Sequence, residues 1–175
     1  RVPDRRGLRR PHDLMDLDIE IDGWPKDYDW ADLAEAAMEA AERVEAVLAN
    51  ERLTASLLFT VDEEVQTLNR EWRTRDKPTN VLSFPMLTRA ELLAMTPQGG
   101  PEMLGDVALA FETCTREAAE KGIGLKDHAA HLIVHGLLHL AGHDHEAGDG
   151  EAAAMEALEI KALAQMGIKD PYGDR

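Results

Sequence analysis

The sequence predicts an α+β fold in which about four short strands form a mixed sheet and about five helices pack against it. Three observations indicate this class. Apolar and polar residues alternate near the start of the chain, short β-favouring runs recur later, and stretches with apolar residues at helical spacing separate these runs. The 175 residues contain no internal repeat and predict a single domain.

The elements follow one another in a regular order along the chain. The first strand is expected over 17–21, and Asp29 or Asp32 can cap a helix that runs to about Leu48. Strands are then expected over 55–61, 80–85 and 107–111. Helices are expected over 62–72, 113–121, 127–141 and 151–166, with one possible helical turn at 90–94 inside a loop over 88–100.

The first 14 residues are interpreted as an irregular tail, so the domain is expected over 15–175. Residues 1–14 hold five Arg and two Asp, with Pro3 and Pro11 as breakers. The natural chain could start at Met15, with the tail as a native or an added extension.

Composition and charge exclude several classes of function. The formal net charge of −15 argues against broad electrostatic binding of nucleic acid, and DNA is not an expected partner. No run approaches the roughly 18 apolar residues of a membrane span, and the N-terminus lacks the apolar core of a secretory signal. With Cys114 as the single cysteine, no intramolecular disulfide can form, and a cytoplasmic location is expected.

Six of the seven histidines lie between residues 128 and 145. His135 and His139 are four residues apart on a predicted helix and therefore share a face. Gly142 can reverse the chain at the helix end and bring His145 back, although His143 is a competing candidate. Three imidazoles with an open fourth position are typical of a catalytic zinc site. The spacing therefore predicts one zinc ion (Zn2+) per chain.

The spacing H-x3-H-x2-G-x2-H is also that of the metzincin proteases, with one departure. Those enzymes place a Glu directly after the first histidine as general base, where this chain has Gly136. A peptidase is therefore disfavoured. His128 and His131 lie on nearly the same helix face, either as contacts near the site or as half-exposed helix residues.

A cluster of positive charge precedes the third predicted strand. Its members could bind phosphate, because the planar guanidinium donates two parallel hydrogen bonds, or could form an ordinary solvated helix end. They are Arg70, Arg73, Arg75 and Lys77, with Glu71 and Asp76 between them.

Two long segments resemble the signatures of the YbeY endoribonuclease family. The first is NREWRTRDKPTNVLSFP over 69–85, and the second is HLIVHGLLHLAGHDH over 131–145. LGDV over 104–107 and MEALE over 155–159 are also similar to the family, and the resemblance spans about 17–172. His143 stands where the family often has Tyr.

The resemblance implies a zincin-like fold with zinc held by His135, His139 and His145. It assigns the family's functional arginine to Arg73. It also implies a single-strand-specific endoribonuclease that acts on the small ribosomal subunit, in 16S rRNA 3′-end maturation and ribosome quality control. Besides these residues, Arg70, Arg75 and Lys77 are expected to bind substrate, and Asp144 and His131 to support the zinc-bound imidazoles.

The residues leave the general base open between a hydroxide on the zinc, the ribose 2′-hydroxyl and a carboxylate such as Asp144. Two other functions also stay open. One is a ribosome assembly factor whose zinc is structural. The other is a metal-dependent hydrolase of another substrate. If it were a peptidase, it would need a Glu at the position where this chain has Gly136.

Overall fold

The computed structural model describes residues 15–73, 79–144 and 146–173, with the side chain of Arg73 left out. Its sheet has the strand order β1-β2-β4-β3. Strands β1, β2 and β4 run parallel, and β3 pairs antiparallel with β4 at one edge. This mixed sheet confirms the predicted α+β class. The strands are β1 (Asp16–Ile21), β2 (Leu53–Thr60), β3 (Val81–Pro85) and β4 (Glu102–Ala110).

Six α-helices lie within the described ranges, one more than predicted. They are α1 (Trp30–Val44), α2 (Asp62–Arg73), α3 (Arg89–Ala94), α4 (Phe111–Lys121), α5 (Leu125–Leu140) and α6 (Asp149–Gln165). The additional helix is α3, which replaces the single turn predicted in the 88–100 loop. A reciprocal capping box stabilises its start, because the side chains of Thr88 and Glu91 each accept a backbone N–H from the other residue.

Two predicted boundaries are wrong by more than two residues. Helix α1 ends at Val44 and not at Leu48, because Glu45 is extended (φ −134°, ψ 97°) and a 3₁₀ turn, Ala46–Leu48, follows it. The strand predicted over 107–111 begins five residues earlier. A register shift near Gly105 interrupts its alternation, and Phe111 already belongs to α4.

The sheet separates a large core from a small one. Helices α1, α5 and α6 pack together on one side, where α5 contacts both β3 and β4. Helix α2 covers part of the opposite side through a smaller apolar cluster of Val65, Leu82, Ala108 and Ala110. Because α5 packs against both helices and strands, most of its surface is buried. Among the described residues, the partly exposed side of α5 next to β3 is the part that can take part in chemistry.

Helix α5 approaches the sheet closely at Gly136. A Cβ atom at this position would lie 2.9 Å from Cγ1 of Val107 in β4. A Glu at Gly136 would therefore collide with the sheet unless α5 moved, so the residue that the metzincin proteases use as general base has no room here.

Candidate metal centre

The two central histidines of the predicted zinc site line one cleft. His135 and His139 lie on α5, one helical turn apart, and both are half-buried. The cleft has a volume of about 420 Å³ and lies between α5 and the edge strand β3. Other residues that line it include Asn80, Ser83, Lys121, His131, Asp144 and Tyr172.

Glu159 on α6 holds the first histidine from behind. Its Oε2 atom lies 3.0 Å from Nδ1 of His135. When Nδ1–H donates to this carboxylate, the imidazole presents the Nε2 lone pair, which is the form that binds a metal. The pairing therefore fixes both the tautomer and the orientation of the ring.

The Glu159 carboxylate is itself buried, with 1% of its surface exposed. Its Oε1 atom accepts hydrogen bonds from Nε2 of His131 at 2.6 Å and from the Tyr172 hydroxyl at 2.5 Å. Burial alone would raise the pKa of Glu159, but the hydrogen bonds from His131, His135 and Tyr172 lower it to about 2. The carboxylate is therefore ionised under all ordinary conditions.

Ser83 on β3 holds the second histidine. Its Oγ atom lies 2.7 Å from Nδ1 of His139, across 56 residues of sequence. In the tautomer in which Nδ1–H donates to Ser83, the Nε2 lone pair of His139 is again the one presented for a metal. Two different elements thus orient the two rings: α6 orients His135, and β3 orients His139.

The chain reverses after α5 as the sequence predicts. Gly142 has φ 100°, a left-handed value that a residue with a side chain rarely adopts, and its N–H donates to the carbonyl of His139 at 3.0 Å. His145, the predicted third ligand, lies outside the described residues. Within the described ranges, no three His, Cys, Asp or Glu side chains form a group that could hold a metal.

His143, the competing candidate, is engaged elsewhere. Its Nε2 atom lies 2.5 Å from Oε2 of Glu45, which also pairs with Arg89 at 3.0 Å. Arg89 in turn donates to the carbonyl of Ala141 at 2.9 Å. This group ties the end of α1 to the loop after α5, so His143 supports the fold of that loop.

His128 and His131 are both buried, so the half-exposed alternative is wrong for each. His131 reaches the site through Glu159, as described above. The Nε2 atom of His128 lies 2.8 Å from Glu117, which also accepts from the Asn80 amide at 2.9 Å. Burial lowers the pKa of His128, although the bond to Glu117 opposes this shift.

The remaining predicted site residues do not all lie at the cleft. Asp144 lines the cleft and is exposed, and its carboxylate accepts the backbone N–H of Glu146 at 2.9 Å. Arg70 is exposed on α2. Arg73 ends α2, one turn after Asn69, which lines the cleft. Arg75 and Lys77 lie outside the described residues, as does the tail over 1–14.

The single cysteine is not suited to metal binding. Cys114 is fully buried in the large core. Burial, together with the nearby charges of Glu117 and Asp62, raises the pKa of its thiol to about 12. A metal ligand must be a thiolate, so any metal in this part of the molecule would depend on histidine and carboxylate.

The roles of Glu159 and Ser83 were not predicted from the sequence, where the two residues appear only as members of the segments that resemble the family. One signal was available for Glu159. Met155, Ala162 and Leu163 form the buried face of α6, and Glu159 falls on that same face at helical spacing. A carboxylate on an apolar face needs a buried partner. Ser83 offered no comparable signal.

Together, the mixed sheet, the helix beneath its antiparallel edge strand and the H-x3-H pair on that helix define a zincin-like α+β protein. The solution structure of a Thermotoga maritima protein has the same fold. It matches with a TM-score of 0.55 and 22% identity, over 90% of each chain. No helix among the described residues has both the length and the apolar character needed to cross a bilayer.

Sequence comparison identifies the family. The pattern of the family Endoribonuclease YbeY matches residues 19–167. The Endoribonuclease YbeY of Erythrobacter litoralis is 65% identical over 161 residues, which cover 92% of this chain and 99% of that protein. Its counterpart in Novosphingobium aromaticivorans is 58% identical, over 89% of this chain and 95% of the relative. The chain belongs to the YbeY endoribonuclease family.

Proposed function

We propose that this protein is a zinc-dependent, single-strand-specific endoribonuclease that acts in 16S rRNA 3′-end maturation and in ribosome quality control. Membership of the family and the name of its relatives support the endoribonuclease activity. The observation that carries the proposed metal dependence is a pair of contacts in one cleft. Glu159 holds His135, and Ser83 holds His139. Such support is typical of metal-binding histidines.

The residues fit a zinc ion. His135 and His139, together with His145, three residues after Gly142, would hold it, and the fourth position would remain for water or substrate. When bound, the zinc would supply Lewis-acid chemistry and would lower the pKa of bound water towards about 7. Glu159 and Ser83 would keep the imidazoles in the binding tautomer before the metal arrives, so little reorganisation is required.

The charge of the cleft supports a substrate presented within the ribosome. Among the described residues that line it, Lys121 is the only lysine or arginine, while Asp144 and Glu146 contribute two carboxylates. With a net charge of −15, the protein gains little non-specific affinity for RNA. Positioning by the small subunit would offset this weakness, with Arg73 as the proposed contact to the scissile phosphate.

An RNA cleavage assay with the purified protein tests the proposal. A single-stranded substrate and a matched duplex are incubated with zinc-loaded wild type, His139→Ala, Arg73→Ala and, as a control, Arg116→Ala on the exposed face of α4. We expect cleavage of the single strand by wild type and Arg116→Ala, and a large loss in the other two variants. Equal cleavage of the duplex would contradict the proposed specificity.

Zinc stoichiometry distinguishes this enzyme from an assembly factor with a structural zinc. One zinc per chain is expected in wild type and little in His135→Ala, His139→Ala or His145→Ala. Full occupancy in His145→Ala would remove the third ligand. One zinc per chain without cleavage of any RNA, alone or in the small subunit, would favour the assembly factor.

A further inference from the structure

The end of the chain returns to the metal centre. Helix α6 ends at Gln165, and the N–H of Ile168 donates back to the carbonyl of Leu163 at 3.0 Å around Gly167, whose φ is 74°. This bond closes a helix-terminating turn that reverses the chain direction. The segment that follows, Gly167–Gly173, is called the C-terminal strap below.

The strap is built so that it delivers Tyr172 to one place. Ile168 packs against the large core and anchors its first part. Asp170 then forms a tight turn, in which its carboxylate accepts the N–H of Tyr172 at 2.7 Å and its carbonyl accepts the N–H of Gly173 at 3.2 Å. Pro171 restricts the backbone within this turn.

Tyr172 reaches back along α6 to Glu159, which lies six residues before the helix end, or about 9 Å along its axis at 1.5 Å per residue. The Tyr172 hydroxyl donates to Oε1 of Glu159 at 2.5 Å. Its ring also meets the ring of His131 edge to face, with 5.4 Å between centroids. The tyrosine therefore contacts one oxygen of the buried carboxylate, and His135 contacts the other.

We propose that Tyr172 is a positioning residue for the metal centre: the closed C-terminal strap supplies the third donor to Glu159 and so holds that carboxylate against His135. This inference rests on the proposed function. Three donors, from His131, His135 and Tyr172, occupy the two oxygens of Glu159. If Tyr172 leaves, the carboxylate keeps the donors from His131 and His135, which both belong to α5, and it loses the donor that the strap supplies, so its position against His135 is less restrained.

The consequence is a coupling between the strap and the affinity for zinc. A residue that orients a metal-bound histidine usually changes metal affinity by about 10- to 100-fold when it is replaced. Tyr172 acts one step further away, through Glu159, so the lower end of this range, about tenfold, is expected. The ring itself does not carry the effect, since the contact to Glu159 is made by the hydroxyl.

The two tyrosines of the chain provide a matched test. Tyr172→Phe removes the hydroxyl and keeps the ring. Tyr28→Phe makes the same change at a residue that packs on Trp30 beside Lys126 and is not among the described residues that line the cleft. Zinc dissociation constants are measured for both variants and for wild type by competition with a chelator, together with melting of the metal-free proteins and kcat and KM at saturating zinc.

The inference predicts about tenfold weaker zinc binding in Tyr172→Phe and wild-type binding in Tyr28→Phe, with metal-free Tyr172→Phe, which loses a buried hydrogen bond, still folded at the temperature of the zinc titration. At saturating zinc, Tyr172→Phe should recover most of its kcat. Wild-type affinity in Tyr172→Phe would overturn the inference, and so would an equal loss in both variants. In those cases wild type still binds zinc and cleaves RNA, so the proposed function stands; a wild type that does neither would overturn both.

Discussion

Glu159 accepts a hydrogen bond from Nδ1 of His135 at 3.0 Å, although 24 residues separate the two in the sequence. The carboxylate is buried, and it is ionised because its donors lower its pKa to about 2. It therefore provides a fixed negative charge behind a histidine that lines the cleft. Such a charge makes the imidazole a better metal ligand.

Glu159→Gln should weaken zinc binding by about 10- to 100-fold. The side chain keeps its size, but it loses its charge, and its amide group would direct a donor at a histidine N–H. Chelator competition measures the affinity. Glu151→Gln, an exposed position on the same helix, is the control and should bind zinc like wild type. Equal affinities in the two variants would show that the carboxylate does not support the metal.

Ser83→Ala should also weaken zinc binding, but by less. The contact of the hydroxyl to His139 is a neutral hydrogen bond, which contributes about 0.5–1.5 kcal/mol, or roughly 2- to 10-fold in affinity. Ser56→Ala is the matched control, because the Ser56 hydroxyl contacts Asp106 and lines the separate groove on the other face of the sheet. A loss as large as that of His139→Ala would mean that Ser83 does more than orient the ring.

The pair of His128 and Glu117 should make the metal-free protein less stable in acid. Burial lowers the pKa of His128 below its ordinary value, so below about pH 6.5 the unfolded chain binds a proton that the folded chain does not. Stability is therefore lost as the pH falls through that value. Glu117 also has a lowered pKa: burial would raise it, but bonds from His128 and Asn80 outweigh burial. Its contribution is lost only at lower pH, as the carboxylate is protonated.

Urea denaturation at several pH values measures this effect in wild type and His128→Gln. The charged or titratable groups that act on His128 are Glu117, Lys121 and His131. Between about pH 7 and pH 5, the stability of the variant should fall less than that of wild type. The ordinary pKa of histidine gives this window. It should still bind zinc, because His128 contacts Glu117 and not the two central histidines. The same decline in both proteins would contradict the assignment.

Local patterns predicted the parts of this molecule that depend on neighbouring residues. The shared face of His135 and His139 follows from helical spacing, and the reversal at Gly142 from the conformational freedom of glycine. The supports of the site could not be predicted in this way. Glu159 and Ser83 lie 24 and 56 residues from the histidines that they hold, and only packing brings them together.

A tertiary contact ends α1 earlier than the sequence predicts. The apolar spacing of Val44 and Leu48 continues the helical pattern, but Glu45 leaves the helix. Its carboxylate accepts the N–H of Val47 and pairs with His143 and Arg89, which come from distant parts of the chain. A tertiary contact thus overrides the local preference for helix.

Arg73 is the residue to which the resemblance assigns the family's functional arginine. It ends α2, one turn after Asn69 at the wall of the cleft. Lysine keeps the positive charge but lacks the planar fork that donates two parallel hydrogen bonds to phosphate. Arg73→Lys should therefore bind zinc and melt like wild type, yet cleave single-stranded RNA on the order of 10²-fold more slowly, by analogy with loss of an oxyanion-hole donor.

Single-turnover cleavage at saturating zinc measures the rate, and Arg73→Ala should be at least as slow as Arg73→Lys. Arg70→Ala, on the exposed face of the same helix, is the control. It should change RNA binding and its salt dependence more than the rate, because a surface cation mainly releases counterions from the phosphates. Cleavage by Arg73→Ala at the wild-type rate would remove Arg73 from the catalytic site and leave this end of α2 as a surface for docking RNA.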